Sequence, residues 1–246
     1  MFDSYAEIFA ERGAAYHHAM AQSPRTRDAE FLVVLEPLAA MPDGLICDMP
    51  SGGGYLAARL PPGMRYLGVD PASDFVSAFP DGLDRLQADI TNVPLNDHAV
   101  DYVVSLAALH HEPDLPAVFR EMRRLVRPGG RIVIADAAVD TPPVAFLNGF
   151  VDQNNPMGHH GRFLDDRTTG LLEAEGLAVV DDRLVEVPWA FDSLAEAGEF
   201  CRHLFWMPAL DAAAVADAMQ REIGFDVVDG RPRLRWVLRR IVCNIT

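Results

Sequence analysis

The chain has 246 residues, 50% of them hydrophobic and 23% charged, and a net charge of −15 from 21 basic and 36 acidic side chains. Such a composition describes one large globular domain, or one domain with insertions, and excludes a disordered chain. The acidity argues against a nucleic-acid substrate, which calls for a basic face. Cys47, Cys201 and Cys243 are too few and too scattered for a disulfide framework or a zinc site. No apolar run approaches a membrane span, and the acidic start is unlike a signal peptide, so a cytoplasmic protein is expected.

In chain order, Phe2 to Ala21 reads as a helix, with Phe2, Tyr5, Phe9 and Tyr16 near one face. Arg27 to Leu38 reads as a second helix. Leu45 to Met49 is a short apolar strand that runs into Pro50-Ser51-Gly52-Gly53-Gly54. Tyr55 to Leu60 looks helical, Arg65 to Asp70 is a strand, and Ser73 is placed to cap a helix through Phe79. Strands follow at Leu83 to Asp89 and Ala99 to Ser105. Leu115 to Val126 shows helical apolar spacing and Arg131 to Asp136 is a fifth strand. Alternating strands and helices imply a parallel, doubly wound sheet, and continuous apolar runs imply strands covered on both faces.

The remainder is less regular. Val144 to Arg162 reads as an irregular linker, Leu171 to Glu175 as a short helix, and Leu177 to Phe191 contains a sixth strand. Ser193 with Glu196 forms a capping box for a helix reaching Trp206. Asp211 to Ile223 is helical, Asp229-Gly230 is a turn, and Arg233 to Cys243 alternates as a last, half-exposed strand. The organisation expected is a single domain over residues 1–246. A helical cap takes 1–40, a cofactor-binding core 44–137, and substrate-cover insertions 144–170 and 192–230.

Three acids stand where ligands bind open α/β sheets. Asp48 precedes the glycine-rich turn, Asp70 follows 22 residues later at the next strand end, and Asp89 with Ile90 closes the third strand. Glycines let a backbone approach a ligand closely, and an acid about 20 residues beyond is placed for ribose hydroxyls.

The ordered set DMPSGGG, GVDP, ADI, DYVVSLAALHHEPD and RPGGRIVIAD, over about residues 44–137, resembles the class I S-adenosylmethionine-dependent methyltransferases, especially their small-molecule branch. The resemblance implies a Rossmann-like sheet of about seven strands with an antiparallel last strand, and S-adenosyl-L-methionine as cofactor. It implies methyl transfer to a small acceptor, with S-adenosylhomocysteine released. Asp48, Gly52 and Gly54 match the loop for the methionine end of the cofactor, Asp70 with Pro71 the ribose contact, and Asp89 with Ile90 the adenine site. Ser105 and Leu106 match the strand end beside the sulfonium, and His111 the histidine just after it. The family has glycine where this chain has Pro50, which implies an adjusted loop that still binds.

His111 is the expected base, and histidine suits that role near neutral pH. Tyr5, Tyr16, His110, His159, His160 and Trp206 are expected to face the acceptor. The apolar run Phe200, Leu204, Phe205, Trp206 and Met207 reads first as core packing, and beside that points to an apolar or acyl acceptor or to a homodimer contact. No metal is assigned, because adjacent histidines do not readily face one ion. Membrane and nucleic-acid partners are not expected. Two other readings stand beside methylation: non-methylating chemistry on the same cofactor, and a non-catalytic scaffold with a decayed site. A nicotinamide reductase shares the first two motifs but needs a Tyr-x-x-x-Lys or comparable site, and no lysine lies downstream of strand five.

Overall fold

The structure, a computed structural model, describes residues 5–245. Phe2, expected on the first helix, lies outside them. Helix α1 (Tyr5–Gln22) and α2 (Asp28–Leu35), which continues as a 3-10 turn through Leu38, precede the sheet. Strands β1 (Leu45–Asp48), β2 (Arg65–Asp70), β3 (Asp84–Gln87), β4 (Val100–Leu106) and β5 (Val126–Asp136) follow, with α3 (Ser73–Ser77) and α4 (Leu115–Leu125) between them. The segment Tyr55–Arg59 is a 3-10 turn. Beyond β5 come α5 (Pro142–Phe146), α6 (Asp152–Asn154) and α7 (Thr168–Ala174), then β6 (Ala178–Glu186), β7 (Trp189–Ala190), α8 (Leu194–Leu204) and α9 (Ala212–Glu222). The chain ends in β8 (Phe225–Val228), β9 (Arg231–Leu234) and β10 (Val237–Asn244).

Seven strands form the main sheet in the order β3-β2-β1-β4-β5-β10-β6. β10 runs antiparallel to both β5 and β6, and the remaining pairs are parallel. The expected mixed sheet with a reversed last strand is what the chain folds into. The apolar strands are buried on both faces: Ile46, Cys47, Val103, Val104, Ile132, Val133 and Ile134 have no exposed surface. The register sets Asp48 beside Val104 and Leu106 beside Ala135, so the carboxyl ends of β2, β1, β4 and β5 form one edge.

Four expectations are corrected. Residues 144–154 are not part of an irregular linker, which begins only at Asn155: α5 runs on through a wider helical turn at Leu147–Val151 into α6, with Pro142 and Pro143 at its first positions. Val144, Leu147 and Val151 supply the buried stripe. Ser73 does not cap α3 but is its first residue, and Ala72 stands at the cap. The span Arg233 to Cys243 is two strands, since Leu234 belongs to a separate three-stranded sheet β7-β9-β8. Nor is it half-exposed, because Leu238, Arg240, Ile241 and Cys243 are buried. By contrast Ser193 does cap α8, accepting the Glu196 amide at 3.1 Å.

Candidate active site

The turn after β1 is built for close approach. Gly52 and Gly54 have φ of 56° and 74°, a region that side chains resist. A Cβ on Gly53 would stand 2.7 Å from the His17 ring, so only glycine lets α1 lie this close. The Met49–Pro50 peptide bond is cis. The carboxylate of Asp70 ties the turn to β2: Oδ2 accepts the Gly52 amide at 2.7 Å and the Tyr5 hydroxyl at 3.2 Å, and Oδ1 accepts the Ala72 amide at 2.8 Å. Burial pushes the Asp70 carboxyl up to about 7. Asp48 is likewise raised to about 7 by burial, while the Tyr66 hydroxyl, donating at 2.8 Å, opposes the rise.

Two hollows open along this edge. The first is lined by Asp48, Pro50, Ser51 and Gly52 at one end and by His110, His111 and His159 at the other, with Leu106 between. Tyr5, Phe9, Arg12 and Tyr16 of α1 roof it, and Trp189, Phe205 and Trp236 close its far wall. The second is lined by Pro71, Asp89, Ile90 and Glu112, and Tyr5 stands on the wall of both. Most of the sequence-expected positions therefore meet along one edge, in two hollows joined at Tyr5.

Some do not line either hollow, Asp70 among them, which is fully buried with its carboxylate held by the Gly52 and Ala72 amides and the Tyr5 hydroxyl. Gly54 lies behind the turn, where a Cβ would stand 2.9 Å from Phe79. Ser105 is buried under the strand end, and its hydroxyl has no partner. His160 turns to the exterior and pairs with Asp152 at 3.4 Å. Trp206 is half-buried, and its neighbour Phe205 takes the cavity wall instead. The reason is local: α8 ends at Leu204, and Trp206 has φ of 50°, which swings it off the buried stripe.

The histidine end carries its own order. His110 Nδ1 bonds Asp136 Oδ1 at 2.7 Å, both side chains buried, which leaves Nε2 as the free ring nitrogen. His111 Nε2 accepts from Arg12 at 3.1 Å, since a guanidinium only donates. His159 Nδ1 is buried and has no partner. Burial holds His111 and His159 well below the usual histidine range, and the neighbouring His110 and Arg12 add to this. One ring nitrogen from each of His110, His111 and His159 lies within 4.8 Å of the others. The adjacent pair thus does share one space, against expectation. The Arg12 guanidinium in that space opposes a metal cation.

Arg12 and Asp136 were not singled out from sequence. Arg12 stands three residues after Phe9 and four before Tyr16, on the aromatic face of α1, so the helical period marks it as a buried cation. Asp136 ends a strand like Asp48 and Asp70, and the same rule finds it.

Comparison with known proteins places this edge in context. Residues 47–134 match the methyltransferase domain family model. The chain is 39% identical over 100 residues to the methyltransferase GfsG of Streptomyces halstedii, covering 38% of this chain and 34% of that protein. It is 31% identical over 118 residues to a tRNA U34 carboxymethyltransferase of Cellvibrio japonicus, covering 44% and 37%. The chain spans about a third of the length of the curated relatives it matches. The solved structure of geranyl diphosphate C-methyltransferase from Streptomyces coelicolor, bound to Mg2+, geranyl diphosphate and S-adenosyl-L-homocysteine, superposes with a TM-score of 0.58 at 16% identity, covering 94% of this chain and 84% of that one. Among the described residues no helix is long and apolar enough to cross a membrane.

Proposed function

Residues 47–134 match the methyltransferase domain, and we propose that the chain is a class I S-adenosylmethionine-dependent methyltransferase that methylates a small-molecule acceptor and releases S-adenosylhomocysteine. The observation that carries this reading is the hollow lined both by the glycine turn and by a histidine cluster, with the β4 strand end between them. One continuous space thus offers a cofactor wall and an acceptor wall. The residues present fit the cofactor: Asp48, Pro50, Ser51 and Gly52 line the hollow, Gly52 leaves open space where a Cβ would stand, and the Ser51 hydroxyl is buried without a partner.

Bound S-adenosylmethionine supplies an activated methyl group on a sulfonium. Asp70 would hold the ribose hydroxyls, Asp89 and Ile90 the adenine, and the 50–54 turn with Asp48 the amino-acid end. Leu106 would border the methyl group. Helix α1 shuts water from the edge through Tyr5, Phe9 and Tyr16, which strengthens polar contacts inside. His111, held neutral, would take the acceptor proton, and positioning of the two reactants supplies much of the rate. His110, fixed by Asp136, and His159 would border the acceptor.

The hollow favours a small apolar acceptor over an RNA, because its walls are aromatic and the chain carries a net charge of −15. The test offers methyl-labelled S-adenosylmethionine with a panel of small phenols, amines and carboxylic acids, and separately with bulk tRNA. Label in a small molecule supports the reading, and label in tRNA alone overturns it.

A further inference from the structure

Among the described residues three arginines are buried, Arg12, Arg27 and Arg240. Arg27 is clamped by Glu30 through two bonds of 2.7 and 2.8 Å, and Arg240 pairs with Glu36 and Asp181. Arg12 alone of these three has no described carboxylate within ion-pair distance. It is 6% exposed, its Nε has no partner, and its polar contact is the neutral His111 ring. Beneath it lies the Phe9 ring, 4.6 Å from the guanidinium carbon. Burial pulls Arg12 down to about 10. A buried charge without a described counter-ion is costly, and this one lines the hollow.

We propose that Arg12 is the anchor for a carboxylate on the methyl acceptor, so that the acceptor is an apolar organic acid. The claim rests on the methyltransferase reading above and narrows its substrate class. A carboxylate matches the planar donor fork of a guanidinium. The body of such an acid meets Phe9, Phe75, Leu147, Trp189, Phe205 and Trp236 on the same walls. The unpartnered ring nitrogen of His159 and the indole N–H of Trp189 also belong to this hollow. The cofactor's own carboxylate is a poorer match. The glycine turn is bordered by His17 and Tyr55, whereas Arg12 contacts His111 at the other end. An acid that draws Arg12 to itself also releases the His111 Nε2 lone pair.

The test titrates the protein, saturated with S-adenosylhomocysteine, with 2-naphthoate and with its neutral counterpart 2-naphthamide. The expected result is at least tenfold tighter binding of the acid. Arg12→Met abolishes that preference and Arg12→Lys keeps part of it, with folding of both checked by thermal unfolding. S-adenosylhomocysteine affinity in Arg12→Met stays within threefold of the parent. Equal binding of acid and amide, binding of neither, or a preference that survives Arg12→Met overturns the proposal. A tenfold loss of S-adenosylhomocysteine binding in Arg12→Met overturns it too, assigning Arg12 to the cofactor. Failure of the unaltered protein to bind S-adenosylhomocysteine instead strikes the methyltransferase reading, and the acid-to-amide comparison without it still reads Arg12.

Discussion

The Gly52 amide donates to Asp70 Oδ2 at 2.7 Å, so the glycine turn and the expected ribose acid are one hydrogen-bonded unit. Burial raises Asp70 to about 7, so its proton is lost near neutrality rather than in the usual carboxylate range. In the proposed role, ribose hydroxyls donate to the charged form. Binding therefore favours the carboxylate and releases a proton. S-adenosylhomocysteine affinity should rise from pH 5.5 to about 7, by up to tenfold per unit, then level off. Titrations across that range check it, and Asp70→Asn should flatten the profile.

Asp48 is raised from its ordinary range to about 7 as well. The unfolded chain ionises Asp48 near 4, and the folded chain only near 7. The folded form thus loses stability as pH climbs between those values, and the loss is complete above about 7. Asp48→Asn should remove this part of the pH dependence. Its stability relative to the parent, measured by urea unfolding, should be higher at pH 8 than at pH 5.

Asp136 holds three donors: the His110 ring, the His110 amide at 3.1 Å and the Ala137 amide at 2.7 Å. Asp136→Ala leaves all three buried without this acceptor. The expected loss is at least about 2 kcal/mol in urea unfolding, since each unpaired buried group costs roughly 1–3 kcal/mol.

Gly54 has φ of 74°, and an added Cβ would stand 2.9 Å from Phe79. Gly54→Ala should destabilise the fold by about 1–2 kcal/mol from backbone strain alone. It should also weaken S-adenosylhomocysteine binding, because the turn must shift to relieve Phe79. Unfolding and titration of the same variant measure both.

The sheet was readable because its signals are local: β-branched apolar runs, each closed by an acid or by glycine and proline. Asp48, Asp70 and Asp136 end such runs, and the parallel order brings them to one edge. The strand β10 was harder. Arg239 and Arg240 make its sequence look half-exposed, yet each is paired across the sheet, with Asp182 and with Asp181 and Glu36. The helix through Val144 and Val151 was hidden by Pro142, Pro143 and Gly149, although two prolines at a helix start are well tolerated. Of the motif residues, Asp48, Gly52, Leu106 and His111 line the hollow, whereas Asp70, Gly54 and Ser105 lie behind it. Arg12 was not legible, because its meaning lies in a missing partner, which only the folded chain displays.

The most direct test of the account is a calorimetric titration of the protein and of Asp70→Ala with S-adenosylhomocysteine. The account predicts micromolar binding that weakens at least tenfold, about 1.4 kcal/mol, in the variant. Undiminished binding by Asp70→Ala, or no binding by the unaltered protein, would contradict it.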